Sequence, residues 1–329
     1  MRLYPLSLLL LLLLPAPVMA LDPGTADGSL QVNGDTIPLT HACALMHDNA
    51  EGLLDHPREL RILVSDRKVL PEALYGVAYL PAEKLAKLGK LHGILILVDP
   101  DDPRDVSVTV LYPPPMPGQP LLTELLGGGE HDAVKGLKLT AQRVAGEVEH
   151  EDRQEMEFMD IPKLIYRAKF NAPLFHEAAV TADLTGQAAV HSAEAKVLRA
   201  KVNALANGDF AALKKVSTAS ANQRSEAFIS KAGKNAVDLA KQAAADMAPS
   251  LQRIKRVVVR GDRAVLIFSD KQWMTFVKVD GKWKSDDWVA DASSDALDAV
   301  LPEPVLHAVP AVFRGRLAIT RAVVGEEGV

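Results

Sequence analysis

The stretch from residue 254 to 285 constrains the fold most, because apolar and polar residues alternate along it and only tight-turn pairs interrupt the alternation. The predicted strands are residues 254–259, 263–268, 273–279 and 282–285. The turn pairs between them are Gly261-Asp262, Asp270-Lys271 and Asp280-Gly281. An Asp-Gly pair is typical of a two-residue hairpin. The stretch therefore predicts a meander of four short antiparallel strands.

The residues before this meander carry helix signals. Ser192 is suited to cap a first helix, whose apolar residues recur at i, i+4 and i+7. Those residues are Leu198, Val202 and Leu205. Gly208 is expected to stop this helix, and Asp209 to cap a second, short one. A third, Ala-rich helix is predicted from residue 225 to 247. Several helices followed by consecutive antiparallel strands predict an α+β module.

The order of these signals, with "NGDF" between the first two helices and "RVVVRGDRAVLIF" and "TFVKVDGKWK" after the last, resembles the nuclear-transport-factor-two-like superfamily. The nearest resemblance is to exported bacterial members of unknown function, and it covers residues 190–288. The resemblance implies a cone-shaped domain in which helices pack on a curved antiparallel sheet and enclose a pocket. That superfamily includes isomerases, dehydratases and polyketide cyclases as well as non-catalytic ligand-binding and scaffold domains, so the fold does not decide the function.

The segment from residue 22 to 175 shows many short strand patterns separated by turn-rich breaks, which predicts an antiparallel β-sandwich-like domain. Its best hairpin signal is Asn33-Gly34, because both residues tolerate the positive φ of a tight turn. A short helix is predicted at residues 82–88. Further strands are predicted at residues 60–65, 92–98, 106–112, 137–144 and 164–170. This segment resembles only uncharacterised exported bacterial proteins, and the resemblance implies no residue roles.

The first twenty residues have the pattern of a secretory signal peptide, with Arg2, an apolar run at residues 8–14 and small residues before a cleavage site after Ala20. The run is shorter than the roughly 20 residues that cross a bilayer, so no transmembrane anchor is expected after signal removal. We expect an exported bacterial protein, periplasmic or secreted. Its predicted parts are a mostly-β domain at residues 21–178, a linker between residues 171 and 186, an α+β domain at residues 186–288 and a poorly ordered tail at residues 289–329.

Charge and cysteine content exclude several classes of protein. Removal of the signal takes away Arg2 and no acidic residue, so the formal net charge changes from −5 to −6 and gives no reason to expect nucleic acid as a partner. Cys43 is the only cysteine, so no internal disulfide can form and the hydrophobic core must hold the fold. We expect a buried Cys43 thiol rather than a metal site shared with His41, because a site needs three or four ligands. No cofactor and no metal are predicted.

Three short motifs have simpler structural interpretations. The "RGD" at residues 260–262 is predicted to form a hairpin turn rather than an adhesion motif. The acidic "DPDDPRD" at residues 99–105 is predicted to be a solvated turn, because it lacks the Gly and the distal Glu of the standard calcium loop. The "GGGEHD" at residues 127–132 is not followed by the Gly-Lys-Ser/Thr of a phosphate-binding loop.

Alternation assigns two faces to the predicted C-terminal sheet. The charged residues fall on one face, so the other is expected to be the buried, concave one. The ligand-pocket candidates on that face are Leu266, Phe268, Trp273, Thr275, Val277 and Trp283. This face offers no acid, His or Lys, and general acid-base catalysis needs a titratable group within reach of the substrate. The alternative catalytic residues come from the helices: Asp209, otherwise a helix cap, and Asp246, otherwise a solvated position.

We therefore expect a non-catalytic binding or scaffolding protein of the bacterial cell envelope, whose partner is a small apolar ligand in the C-terminal cone or another envelope protein. Two alternatives stay open. The first is an isomerase or dehydratase that uses the cone pocket, with Asp209 or Asp246 as the base. The second is a protein-interaction module in which side chains fill the cone completely.

Overall fold

The computed structural model describes residues 21–76, 80–113, 121, 134–150 and 163–286. The predicted signal peptide, the predicted tail and the glycine-rich motif at residues 127–132 lie outside these ranges. Within them the chain forms two sheets and six α-helices, which confirms the α+β class predicted from the sequence.

The first sheet contains eight strands in the order β5-β4-β3-β2-β1-β8-β7-β6. These strands are β1 (Thr25–Val32), β2 (Asp35–His47), β3 (Glu59–Ser65), β4 (Gly93–Val98), β5 (Val106–Leu111), β6 (Val134–Leu139), β7 (Arg143–His150) and β8 (Leu164–His176). Each strand pairs antiparallel with its neighbours in this order. Because the eight strands form one curled sheet instead of two packed sheets, the predicted sandwich is not confirmed.

Each face of the curled sheet carries its own hydrophobic core. One core runs across seven strands and includes Leu30, Ile62, Ile96 and Phe170. On the opposite face, helix α1 (Pro81–Lys87) and a 3₁₀ turn cover β2, β3 and β4. Cys43 lies in this second core with 7% of its surface exposed, which confirms the buried thiol. The strands covered on both faces are the ones with continuous apolar runs, as burial on both sides requires.

Turn chemistry decides where the strands of this sheet end. Asn33 and Gly34 have φ of 51° and 91° and connect β1 to β2, which confirms the predicted hairpin. The single strand predicted at residues 137–144 is wrong. Thr140 instead begins a turn closed by its N–H donating to the Arg143 carbonyl at 2.9 Å, and β6 and β7 flank that turn.

The second sheet has the order β13-β12-β11-β10-β9 and confirms the predicted four-strand meander. Its strands are β9 (Ala182–Thr185), β10 (Ile254–Arg260), β11 (Arg263–Phe268), β12 (Trp273–Val279) and β13 (Lys282–Asp286). Strand β9 comes from the segment predicted as a linker, and it pairs antiparallel with β10. Only residues 177–181 therefore separate the last strand of the first sheet from the first strand of the second.

Five helices accompany the second sheet: α2 (Gly186–Val190), α3 (Ala193–Ala206), α4 (Phe210–Val216), α5 (Ala219–Ala232) and α6 (Ala236–Met247). The predicted caps are confirmed, since Ser192 accepts from the Ala195 N–H at 3.1 Å and Asp209 from the Ala212 N–H at 2.9 Å. The single helix predicted at residues 225–247 is wrong, because Gly233 has a φ of 55° and divides it into α5 and α6. No helix in the described ranges has the length and apolarity needed to span a bilayer.

The predicted faces of the second sheet are right for β10 and β11 and wrong for β12. Val257, Leu266 and Phe268 belong to the core that packs against the helices, as expected. Strand β12, however, pairs Phe276 with Ala264 and Met274 with Leu266, so Phe276 and Met274 face the helices. This register turns Trp273, Thr275 and Val277 to the opposite face. Alternation gives the two faces of one strand, but only the pairing register relates them to the faces of the next strand.

A glycine at the start of β4 provides a test of the strand pairing in the first sheet. A Cβ on Gly93 would lie 2.2 Å from the Val64 carbonyl oxygen of β3, and the backbone there cannot move without disturbing the β3–β4 ladder. We expect Gly93→Ala to lower the free energy of unfolding by about 1–3 kcal/mol, as overpacking does. Urea denaturation measures this loss. Gly146→Ala, where the nearest atom is the Phe170 ring at 3.1 Å, should cost clearly less, and an equal cost would contradict the steric account.

The buried thiol provides a second test. Burial raises the pKa of Cys43 to about 12, and the thiolate is the form that reacts with disulfide reagents. We expect an aromatic disulfide reagent at pH 8 to leave Cys43 unmodified in the folded protein and to modify it fully in urea. Since the chain has one cysteine, absorbance of the released thiolate reports this site alone. Rapid labelling of the folded protein would show that α1 does not cover the strand.

Candidate functional site

An open cleft lies between the two sheets and holds about 750 Å³ of empty space, including the part open to solvent. Its lining comes from the end of the first sheet and from β10, β11 and β12, mainly on the face of the second sheet that points away from the helices. The lining residues are His47, Glu51, Tyr75, Gly76, Glu177, Ala178, Arg260, Arg263, Ala264, Val265, Trp273, Thr275, Phe276 and Val277. Apolar surface makes up most of the wall, and the charged residues come from both sheets: Glu51 and Glu177 from the end of the first, and Arg260 and Arg263 from the second.

Strand lengths explain why two distant residues meet at this cleft. Strand β1 separates β2 from β8 only as far as Thr25, which pairs with His41 on one side and Asn171 on the other. Beyond that point β2 and β8 pair directly and in parallel, up to Met46 opposite His176. The next residues are His47, which ends β2, and Glu177, which directly follows β8.

His47 and Glu177 form a close, buried pair. Nδ1 of His47 lies 2.7 Å from Oε2 of Glu177, and the two side chains are 1% and 8% exposed. Nε2 of His47 is buried and has no hydrogen-bond partner among the residues that the structure describes. The pair therefore places an imidazole and a carboxyl group side by side among the residues that line the cleft.

Arg260, the last residue of β10, joins the second sheet to the first. Its Nε donates to Oε1 of Glu51 at 2.9 Å, its Nη1 donates to the Ala178 carbonyl at 2.9 Å, and its Nη2 donates to Oδ1 of Asp48. Nη2 also lies 3.9 Å from Oε2 of Glu177. The guanidinium thus connects three acidic side chains of the first sheet's end to the second sheet.

The Arg260 cluster changes the protonation equilibria of its members. Burial raises the pKa of Asp48, but the hydrogen bond and positive charge of Arg260 outweigh burial, so that the pKa lies below its usual value. For Arg260, burial lowers the pKa, but the hydrogen bonds to Asp48 and Glu51 outweigh burial. The pKa of Arg260 therefore lies above its ordinary value. Asp48 and Arg260 are therefore both charged at neutral pH, and their opposite charges compensate one another.

A buried arginine of β3 positions the aromatic side of the cleft. Arg61 is 1% exposed, and its Nη1 donates to the carbonyls of Leu74 and Gly76 at 2.8 and 2.7 Å. These bonds hold the segment that carries Tyr75, over whose ring the Arg263 guanidinium lies at 4.9 Å. Burial is the main reason that the pKa of Tyr75 is raised, and Arg263 opposes the shift. Tyr75 therefore faces the cleft as a neutral phenol.

The predicted ligand-pocket residues divide between the two faces of the second sheet. Trp273, Thr275 and Val277 line the cleft between the sheets. The other three, Leu266, Phe268 and Trp283, face the helices. Leu266 and Phe268 are 0% and 4% exposed in the core there, and Trp283 packs against that core. The structure therefore brings three of the six candidates together, and on the face opposite to the predicted one.

The two alternative catalytic residues lie on the surface. Asp209 is exposed and caps α4, and Asp246 is exposed and accepts from Nε2 of Gln242 at 2.9 Å. The helix-facing side holds a polar contact that the sequence did not predict, with the buried Lys201 donating to Oγ of Ser285 at 3.1 Å. Neither Asp209 nor Asp246 lines the cleft, and the Lys201–Ser285 contact lies outside it as well.

Sequence reasoning missed the residues that close the charged end of the cleft. His47 and Glu177 are 130 positions apart, and Arg260 and Glu51 are 209 apart, so no local spacing relates them. In the sequence, Arg260 belongs to the "RGD" and to the charged face predicted for the second sheet, and neither feature indicates an ion-pair cluster. That motif forms the predicted hairpin turn, with Gly261 at a φ of 59°, but the Arg260 side chain is only 10% exposed. An adhesion motif must present its arginine to a partner, and this arginine is held within the protein.

Two further features belong to the surface around the site. Trp273 also lines a second, more polar cleft with Glu59, Arg61, Glu83 and Lys271.

In the acidic turn at residues 99–105, oxygen or nitrogen atoms of Asp99, Asp105 and His56 that could bind a metal ion lie within 4.8 Å of one another. His56 and Asp99 are partly buried and Asp105 is exposed, and acidic groups of this kind are common in proteins without a bound metal.

Comparisons with protein-family models, with curated proteins and with solved structures find no match to this chain. The resemblance of residues 190–288 to the nuclear-transport-factor-two-like superfamily therefore stays a prediction. Conclusions about function rest on the geometry of the site.

The Arg260 cluster predicts a large difference between two arginines on one strand. Arg260→Met leaves Glu51 and Glu177 buried without their cation, and breaking a buried ion pair in this way costs about 3–5 kcal/mol. Arg256→Met removes a pair with the more exposed Asp183, which should cost about 1 kcal/mol or less. Urea denaturation of both variants measures the difference. Equal losses would show that burial does not set the strength of the Arg260 cluster.

Proposed function

We propose that this protein binds a small, largely apolar molecule in the cleft between its two sheets. The observation that carries the proposal is the cleft's composition: a mostly apolar wall that includes Val265, Trp273 and Val277 of β11 and β12, and a few charged residues among the lining. Small-molecule sites are typically concave and mostly apolar, with a few polar groups that fix the orientation of the ligand.

In this proposal the second sheet supplies apolar surface to the ligand, and the first sheet supplies an aromatic ring and charged residues. Val265, Trp273 and Val277 supply apolar surface, and burial of such surface contributes about 25 cal/mol per Å². Tyr75, held in place by Arg61, supplies an aromatic ring on the side of the first sheet. The charged residues at the end of the cleft are already paired, so an apolar ligand does not have to neutralise them.

The N-terminal pattern supports an exported, periplasmic or secreted location, and with it a binding role in the bacterial cell envelope. The resemblance of residues 190–288 supports the cone-shaped interpretation of the second sheet and its helices. That superfamily includes ligand-binding domains, and in this chain we place the ligand on the sheet face turned away from the helices.

The alternatives have weaker support. An isomerase or dehydratase that uses Asp209 or Asp246 would need a carboxylate within a pocket, and both side chains are exposed. A protein-interaction module is favoured by the exposed apolar side chains of Phe228, Val237 and Leu239 on α5 and α6. Scattered apolar residues of this kind are normal on protein surfaces, whereas the cleft is a formed cavity. Binding of a small molecule is therefore the function that we propose.

Two valines on the same face of β12 test the proposal. Val277 lines the cleft, whereas Val279 is 36% exposed and does not. We expect Val277→Glu to weaken binding of the neutral fluorescent naphthalene ketone prodan at least about tenfold, because the carboxylate must stay hydrated in an apolar wall. Val279→Glu should leave the affinity unchanged. Fluorescence titration measures both affinities, and native mass spectrometry of the gently purified full chain identifies any natural ligand.

Failure of the proposal has a clear signature. If the wild-type protein does not bind the probe, or if Val277→Glu and Val279→Glu weaken binding equally, the cleft is not the binding site.

A further inference from the structure

We infer that the second sheet and its helices turn as one body about residues 177–181, and that the hydrogen bonds of Arg260 form the latch that closes the cleft. We call the second sheet with α2–α6 the C-terminal lobe, and the first sheet with α1 the N-terminal lobe. The inference rests on the proposed binding function and adds the way in which the cleft opens and closes on its ligand.

Each lobe has its own hydrophobic interior. The two cores of the first sheet draw on residues 26–174, and the core of the second sheet draws on residues 182–283. In the part of the chain that the structure describes, none of these cores contains residues of both lobes. Domains that meet without a large apolar interface are expected to move relative to one another. The lobes can therefore change their relative orientation while all three cores stay intact.

The connection between the lobes has the features of a hinge. Strand β8 ends at His176 and β9 begins at Ala182, and residues 177–181 between them form neither helix nor strand. Residues 178–181 are exposed. The Thr181 N–H donates to the Val259 carbonyl at 2.7 Å, which ties the end of the segment to the C-terminal lobe. Since hinge rotation is absorbed by a few residues at the ends of elements, the bending falls on residues 177–180.

Arg260 joins the lobes next to this hinge. Its Nε donates to Oε1 of Glu51 at 2.9 Å and its Nη2 donates to Asp48, and both acids follow β2 in the N-terminal lobe. Its Nη1 donates to the carbonyl of Ala178, within the hinge itself. Hydrogen bonds between charged groups are strong but need close, well-aligned partners. A small separation of the lobes therefore breaks the bonds to Asp48 and Glu51 together, as the release of a latch requires.

The ligand and the latch favour the same arrangement. The cleft has Tyr75 of the N-terminal lobe in its lining together with Trp273 and Val277 of the C-terminal lobe. A ligand that contacts both walls loses contacts when the lobes separate. Because a ligand shifts a conformational equilibrium through its difference in affinity for the two states, this ligand stabilises the closed state. Loss of the latch should accordingly weaken binding as well as widen the cleft.

The test compares the arginines at the two ends of β10. Arg260→Met removes the latch, whereas Arg253→Met removes an ion pair with Asp270 that lies within the C-terminal lobe. We expect Arg260→Met to weaken the binding of prodan at least about fivefold, as coupling between a conformational equilibrium and a binding site allows. Arg253→Met should leave the affinity unchanged.

Spin-label distances measure the motion itself. Ser107→Cys on β5 is combined in turn with Lys255→Cys on β10 and with Lys282→Cys on β13, since all three side chains are exposed. The buried Cys43, whose pKa is raised to about 12, stays unlabelled. Double electron–electron resonance should show that Arg260→Met broadens both distance distributions and shifts their means by more than about 2 Å, a displacement typical of domain rearrangement. Arg253→Met should change neither distribution.

A chain with Arg260 intact keeps the test independent of the folding of that variant. Prodan should narrow both distributions in this chain. If prodan binds while the distances respond neither to it nor to Arg260→Met, the lobes form one rigid unit, and the hinge inference fails while the binding proposal stands. If prodan does not bind but Arg260→Met alone changes the distances, the binding proposal fails and the hinge with its latch stands.

Discussion

The placement of one guanidinium between the two sheets is the interaction on which the rest of the site depends. Arg260 ends β10, yet its hydrogen bonds go to Asp48, Glu51 and the Ala178 carbonyl, which belong to the end of the first sheet. Burying so much charge is tolerable only because the signs compensate and the donors are satisfied. The bonds hold the second sheet at a distance that leaves a cleft, and the turn at Gly261 lets the strand end at this position.

A second constraint, strand length, creates the chemistry inside the cleft. Since β1 begins at Thr25 while β2 and β8 continue past it, two parallel strand ends place an imidazole beside a carboxylate. A histidine oriented by a carboxylate is a common arrangement wherever one ring nitrogen must have a defined role. Here the β2–β8 pairing brings together His47, the last residue of β2, and Glu177, the residue after β8.

Local signals in the sequence predicted local structure. The caps at Ser192 and Asp209, the turn at Asn33-Gly34 and the β10–β13 meander depend on neighbouring residues, and all are confirmed. The face predicted for Trp273, Thr275 and Val277 of β12 was wrong because it depends on the pairing register between strands. The site was missed because its residues lie far apart in sequence. Trp273 and Val277 were correctly grouped as one surface, since alternation within a strand keeps them together. Which face of the sheet they share is decided by the pairing of Phe276 with Ala264, and no local pattern in the sequence indicates that pairing.

The position of Trp273 has a consequence for how the two clefts relate. One indole forms part of both linings. The two clefts therefore have one wall in common. A substitution at Trp273 changes the lining of both at once, that of the apolar cleft and that of its more polar neighbour bordered by Glu59 and Lys271.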